Sequence, residues 1–224
     1  LYKKLAYDPV KDFDAVFRFP DTPLVLMVRN DHPSKTIKDL VEYSKKNPEL
    51  VNISNAGVGS SSHLIAALFV NAAGIKVTQV AYKGAGPALV DVIGGQVDGM
   101  FDQTNTALPQ IQQKKVRALA VTSKVRLPQL KEVPTLGETV IPGFEASTWY
   151  GIYAPKGTPK AMLDKVQNAY LHVMKDKDYT GKMAAQAIQM LPEKDYLGAS
   201  LAQHTEAEVA RWRAVAAKSG LTLE

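Results

Sequence analysis

Short apolar strands that alternate with helical segments across brief connections predict an α/β fold, with a parallel sheet layered by helices. The series runs from Val51 to Thr122. Two longer apolar runs, near 24–28 and 149–154, bracket it and predict a two-lobed molecule in which they serve as hinge strands. On that reading lobe two spans 29–146, lobe one joins 1–28 to 147–224, and a cleft lies between them.

The opening, Leu1 to Phe19, lacks periodicity; Tyr7-Asp8-Pro9 reads as a turn, with Phe13, Val16 and Phe19 as buried candidates. Pro23 to Arg29 is a continuous apolar run suited to a strand covered on both faces. Ser34 or Thr36 then caps a helix that carries Ile37, Leu40, Val41 and Ser44 on one side. Strand Val51–Ser54 leads to a helix over Ser61–Ala73, strand Val77–Ala81 to a helix opening at Pro87, and strand Asp98–Phe101 to a helix ending near Gln113. Strand Val116–Thr122 closes the series.

A proline- and glycine-punctuated crossing follows Arg126, and Thr148 to Ala154 reads as a strand. Thr158-Pro159 starts a helix with Met162, Leu163, Val166, Ala169, Tyr170 and Val173 on its apolar face. The last helix spans roughly Asp195 to Lys218, with Leu201, Val209, Trp212 and Val215 inward and Gly220 as its stop.

Composition narrows the function. At 224 residues and 46% hydrophobic the chain can bury real cores, and no window reaches the roughly 18 apolar residues of a membrane span, so it is not membrane-embedded. Leu1-Tyr2-Lys3-Lys4 contains no apolar signal region and no initiator Met, so the start reads as processed or cut. With no cysteine, disulfides, thiolate metal sites and cysteine nucleophiles are excluded. The net charge of +5 is dispersed, with no basic-aromatic motif, which argues against nucleic acid; a mildly basic surface attracts acidic solutes. His32, His172 and His204 have no metal-ligand spacing, and neither metal nor cofactor is expected.

The chemistry concentrates at strand ends, where open parallel sheets bind ligands. Gly57 and Gly59 let the backbone turn tightly, and Ser60, Ser61 and Ser62 stand at a helix N-terminus, whose unpaired N–H groups and dipole attract an anion. The bland reading is a serine cap with no ligand. A catalytic alternative pairs Ser60 with His63 in acyl transfer, but no orienting acid is identifiable and the Gly-x-Ser-x-Gly elbow is lacking; His63 reads instead as a partner for loop carbonyls. Gly84, in the next loop, sets backbone shape beside the ligand, and Lys83 reads as exposed. Asp102 either recognises a positive or hydrogen-donating ligand group or caps the following helix. Trp149 or Tyr150 walls the cleft, while strand alternation sends one of the two into ordinary core.

Five segments resemble the tripartite tricarboxylate transporter receptor, or Bug, family: Gly57-Val58-Gly59-Ser60-Ser61-Ser62-His63-Leu64, Tyr82 to Leu89, Gly94 to Asp102, Lys115 to Ser123, and Trp149 to Pro159. The resemblance covers the whole chain. It implies a type II periplasmic-binding-protein-like fold and a periplasmic, non-enzymatic receptor. Such a receptor captures a small carboxylate-bearing solute (dicarboxylate, amino acid or aromatic acid) and hands it to membrane permease subunits. It also implies a further N-terminal strand-helix-strand unit with a ligand-binding Gly-rich loop, which the sequence in hand lacks.

Overall fold

A computed structural model describes residues 5–219; the side chains of residues 218 and 219, the expected stop at Gly220, and Leu1 to Lys4 lie outside the description. The chain divides into two compact units, one built from the segments up to Asp21 and from Trp149 on, the other from Thr22–Thr148. These boundaries differ from the expected ones because the first long apolar strand pairs wholly within the second unit's sheet.

In the second unit, strand β2 (Thr22–Arg29) lies between β5 (Gly99–Gln103) and β6 (Val116–Val121), antiparallel to both. β3 (Asn52–Asn55) runs parallel to β5 on one side and to β4 (Thr78–Ala81) on the other. The order is β4-β3-β5-β2-β6, with the two-residue β7 (Ser147–Thr148) joined to the start of β2. The expected parallel sheet is therefore interrupted by one antiparallel strand. Continuous burial of β2 from Thr22 to Val28 follows from its central place, since both faces of a middle strand are covered.

The helices between these strands begin where capping chemistry dictates. α1 (Ile37–Lys46) opens on a capping box in which the Thr36 hydroxyl accepts from Asp39 N–H and the Asp39 carboxylate accepts from Thr36 N–H. Its buried face is Ile37, Leu40, Val41 and Ser44, as the spacing predicts. α2 (Ser61–Ala73), α3 (Ala85–Ile93) and α4 (Thr104–Gln112) follow β3, β4 and β5 in turn. A 3-10 turn at Pro128–Leu130 and the one-turn α5 (Leu136–Thr139) lie in the crossing after β6. Phe101 meets Phe69 of α2 at 5.5 Å between centroids, so α2 is locked onto the sheet through β5.

The first unit holds β1 (Phe13–Arg18) antiparallel to β8 (Gly151–Pro155), and α6 (Lys160–Val173), α7 (Lys177–Ala185) and α8 (Gly198–Ser219). A register shift between Ala15 and Phe17 buries both Val16 and Phe17, which breaks the alternation by which a half-buried strand is recognised. Phe17 stacks on Tyr196 at 5.5 Å and on Tyr170 at 5.1 Å, with Phe19 edge-on at 5.3 Å. The continuous strand expected over Thr148–Ala154 is split, because Ser147–Thr148 pairs with β2 and Gly151–Pro155 with β1.

α6 corrects the sequence reading more sharply. Leu163 and Tyr170 pack on the aromatic core together with Leu171, yet Met162, Val166, Ala169 and Val173 are exposed. These four form a stripe at helical spacing on another side of the helix, and no described element buries it. α8 starts at Gly198 rather than near Asp195, which belongs to a 3-10 turn, and it buries Leu201, Thr205, Glu208 and Val215.

Candidate functional site

The chain order of the second unit's sheet reverses direction after β4. From β3 the connection moves outward to β4, and from β4 it returns past β3 to β5 before going on toward β6. Right-handed crossovers place α2 on one face and α3 and α4 on the other. The loops leaving the neighbouring strands β3 and β5 therefore part to opposite faces. Their carboxyl ends form a topological switch point, where open α/β sheets bind ligands.

The loop on the β3 side is held by its own side chains. Asn55 Oδ1 accepts from Gly57 N–H at 3.0 Å, Ser62 Oγ accepts from Ala56 N–H at 2.9 Å, and the Ser60 and Ser62 hydroxyls bond each other at 3.1 Å. Gly57 and Gly59 have φ of 120° and 82°, in the region that favours glycine. A Cβ on Gly57 would also come within 3.1 Å of the Tyr82 carbonyl oxygen. Gly84, with φ of 111°, donates its N–H to the Ala56 carbonyl and so ties the β4 loop to the β3 loop.

The three serines play different parts. Ser60 is the N-cap of α2, its hydroxyl accepting from His63 N–H at 3.3 Å, and Ser62 braces the loop from within. Among the described residues nothing accepts from the N–H groups of Ser61 and Ser62, and nothing bonds the Ser61 hydroxyl. Those three donors stand at the positive end of a helix of 13 residues. An acceptor-only group such as a carboxylate matches them.

His63 is 7% exposed, and its Nδ1 accepts from Gly59 N–H at 3.1 Å; burial holds its pKa below the usual histidine value. Its ring partner is thus an amide N–H rather than the expected carbonyl. Because Ser60 bonds the backbone of His63 and the ring acceptor is already engaged, this pair is not poised as nucleophile and base.

On the β5 side, Asp102 is 3% exposed and accepts from the Thr106 hydroxyl at 2.6 Å. Burial raises its pKa, opposed by the Thr106 hydroxyl and the Gln103 N–H. Asp102 is not the cap of α4, whose N-cap is Gln103 with no side-chain cap bond; it meets the first turn only through the Thr106 hydroxyl. Lys83 is exposed, as expected. Trp149 belongs to the first unit, where its Nε1 donates to Glu208 Oε2 at 3.2 Å and its ring meets His204 edge-on at 4.8 Å. Gly57, Gly59, Ser60, Ser61, Ser62 and Gly84 form one loop cluster, Asp102 ends the neighbouring strand, and Trp149 is placed in the other unit.

Sequence reasoning missed Asn55 and Glu208. Glu208 is 8% exposed and accepts from both Trp149 and Trp212 indoles, with Arg211 beside it at 3.2 Å. Trp212 stands one turn from Glu208 on the same helix, a spacing the sequence shows, but Trp149 reaches it from 59 residues away; only the need of each indole for an acceptor when buried hints at the second bond. A cavity of about 310 Å³ in the first unit is lined by Leu171, Met174, Met190, Leu191 and Tyr196, and by none of the predicted ligand residues.

Residues 1–221 match the model of the tripartite tricarboxylate transporter family receptor. The chain belongs to that family. It is 38% identical over 220 residues to a UPF0065 protein of Agrobacterium vitis, covering 98% of this chain and 64% of that relative. The chain therefore spans less than two thirds of that curated relative's length. Among solved structures, the periplasmic binding protein BugD is similar at 36% identity and a TM-score of 0.90, over 100% of this chain and 75% of that one. MatC from Rhodopseudomonas palustris with bound malate is similar at 32% identity and a TM-score of 0.86, over 95% and 72%. The fold is that of periplasmic binding proteins, and no helix among the described residues is long and apolar enough to cross a membrane.

Proposed function

We propose that this receptor-family chain is a non-enzymatic, periplasmic solute-binding protein. It captures a small carboxylate-bearing solute and delivers it to the membrane subunits of a tripartite tricarboxylate-type transporter. The observation that carries this reading is the set of unpaired donors at the start of α2, the N–H groups of Ser61 and Ser62 and the Ser61 hydroxyl, at the switch point of the sheet. A ligand carboxylate bound there accepts from all three. Gly57, Gly59, Ser60 and Gly84 give the loop its shape, and Asp102 selects for a hydrogen-donating group on the ligand.

The malate bound to MatC supports the solute class, since malate presents the acceptor-only oxygens that these donors fit. A helix N-terminus of neutral donors needs no cation to hold an anion, because its dipole and N–H groups provide the field. The test is calorimetric titration of the chain with malate, adipate, aspartate and benzoate. Saturable one-to-one heat with at least one of them, without turnover, supports the reading. Absence of saturable binding across the panel, or turnover that Ser60→Ala abolishes, overturns it.

A further inference from the structure

The edge of the second unit's sheet opposite the switch point gathers positive charge. β3, β4, β5 and β6 all run in one direction, so the connections that enter them lie along that edge, and β2 ends there. Glu49 N–H donates to the Lys76 carbonyl at 3.2 Å and the Asn30 amide to the Lys114 carbonyl, which fastens neighbouring connections together. Lys45 and Lys46 close α1 ahead of β3, Lys76 precedes β4, and Lys114 and Lys115 precede β6. All five are exposed, and among the described residues none is paired with a carboxylate.

Lysine in a last helical turn complements the helix dipole, which accounts for Lys45 and Lys46 alone. Lys76, Lys114 and Lys115 stand past the caps of their helices, Gly74 and Gln113. Arg117 adds to the same sign. It donates to the carbonyls of Asn30, His32 and Ser34, at 2.6, 3.3 and 3.3 Å, so its charge meets no carboxylate. Of the carboxylates on these connections, Asp98 is taken by Arg29 at 3.2 Å and by Asn52 N–H at 2.8 Å, and Asp31 by Arg29 at 2.6 Å. That leaves Glu49, and Glu42 one turn before Lys46, against a larger number of cations.

The chemistry of the edge selects a diffuse partner. Arg29 and Arg117, whose forks would recognise single carboxylates or phosphates, are both bound within the unit, and the exposed cations are lysines, point charges on flexible stems. They are spread along the connections to β3, β4 and β6, across strands about 4.8 Å apart. Leu50 stands among them, 56% exposed. A row of ammonium groups with an apolar side chain between them matches a plane of anionic headgroups over hydrocarbon.

We propose that this edge is a docking surface for an anionic phospholipid bilayer, with Lys45, Lys46, Lys76, Lys114 and Lys115 held at the headgroups. The switch point, at the other ends of the same strands, then faces away from the lipid, and the α2 donors stay open to solution while the unit is held at the membrane. This surface does not depend on solute binding, so the calorimetric titration above is read separately from its test.

The test is flotation of the full chain with vesicles of phosphatidylcholine, with and without about one third phosphatidylglycerol. Wild type is expected to float with the anionic vesicles alone, and to be released as salt shortens the Debye length from about 20 Å to about 4 Å. A lysine near an anionic surface is worth about fivefold in partition, so Lys114→Gln/Lys115→Gln and Lys45→Gln/Lys46→Gln are each expected to weaken binding about twentyfold. Lys165→Gln/Lys177→Gln, at exposed positions of the first unit, removes the same charge and is expected to change binding less than about twofold. Circular dichroism checks folding; should a double variant of the edge fail to fold, Lys76→Gln, expected to weaken binding about fivefold, takes its place. No flotation of wild type with anionic vesicles at low salt overturns the proposal. An equal loss in the first-unit control overturns it too, since the effect then belongs to net charge, and so does binding to polyglutamate without binding to vesicles, which marks an acidic protein as the partner.

Discussion

In the second unit, β2 buries seven residues in a row and β5 four, whereas in the first unit β8 buries none and neither α6 nor α7 contains a buried residue. The second unit is held by a sheet with apolar cover. The first is held by a stack of rings around Phe17 and by a few polar anchors, chiefly Glu208 under two indoles. A two-stranded sheet is marginal by itself. The difference teaches that the sheet unit is the rigid scaffold on which the α2 loop is presented, while the stability of the other unit rests on a few residues.

That contrast can be broken by mutation. Phe101→Ala, which removes a ring 1% exposed against Phe69, is expected to cost about 3–5 kcal/mol, read as a loss in the unfolding transition of the second unit. Phe17→Ala is expected to cost a similar amount in the first unit, since the 0% exposed ring holds Tyr170 and Tyr196. If calorimetry shows a single transition lowered equally by both, the units are not independent and the comparison fails. Glu208→Ala ranks next, at about 2 kcal/mol, because two indole N–H groups lose their acceptor. Tryptophan fluorescence reports the change directly.

A smaller effect follows from pH. Burial holds the His63 pKa below its reference of 6.5, so the folded state binds fewer protons than the unfolded chain in the window just below that value. The associated stability is present above pH 6.5 and is lost as pH falls toward the depressed folded value. His63→Gln, which retains an acceptor for Gly59 N–H, is expected to flatten that slope relative to wild type in denaturant titrations at several pH values. An unchanged slope sinks this account of the loop. Smallest of all, Met162→Glu and Val166→Glu on the exposed stripe of α6 are each expected to change stability by less than about 0.5 kcal/mol. A larger loss in chemical denaturation shows that the stripe is covered.

Much of this was legible in the chain. The Thr36 cap, the face of α1 and the span of α2 follow from hydroxyl placement and helical spacing, which are local signals. The α/β series was readable for the same reason. Three features were not. The antiparallel insertion of β2 depends on which strands pair, and an apolar run fits any central position. Adjacent burial of Val16 and Phe17 comes from a bulge, which erases the period-two signal. The α6 pattern marks apolar positions without saying which of them meet a neighbour. At the candidate site, the serine run was visible, but the division between bracing hydroxyls and free donors arises from hydrogen bonds to Ala56 and His63 that spacing does not encode. Asn55 was passed over because its bond to Gly57 N–H arises from the turn over residues 55–57, which spacing alone does not mark.

The most direct test of the central claim, that the α2 N-terminus holds the ligand carboxylate, is the backbone amide spectrum of the chain titrated with malate, adipate, aspartate and benzoate. The account predicts that for a bound probe the Ser61 and Ser62 N–H resonances move furthest and saturate with the calorimetric affinity, and that Gly57→Val abolishes the response. Saturable binding that leaves Ser61 and Ser62 unmoved contradicts it.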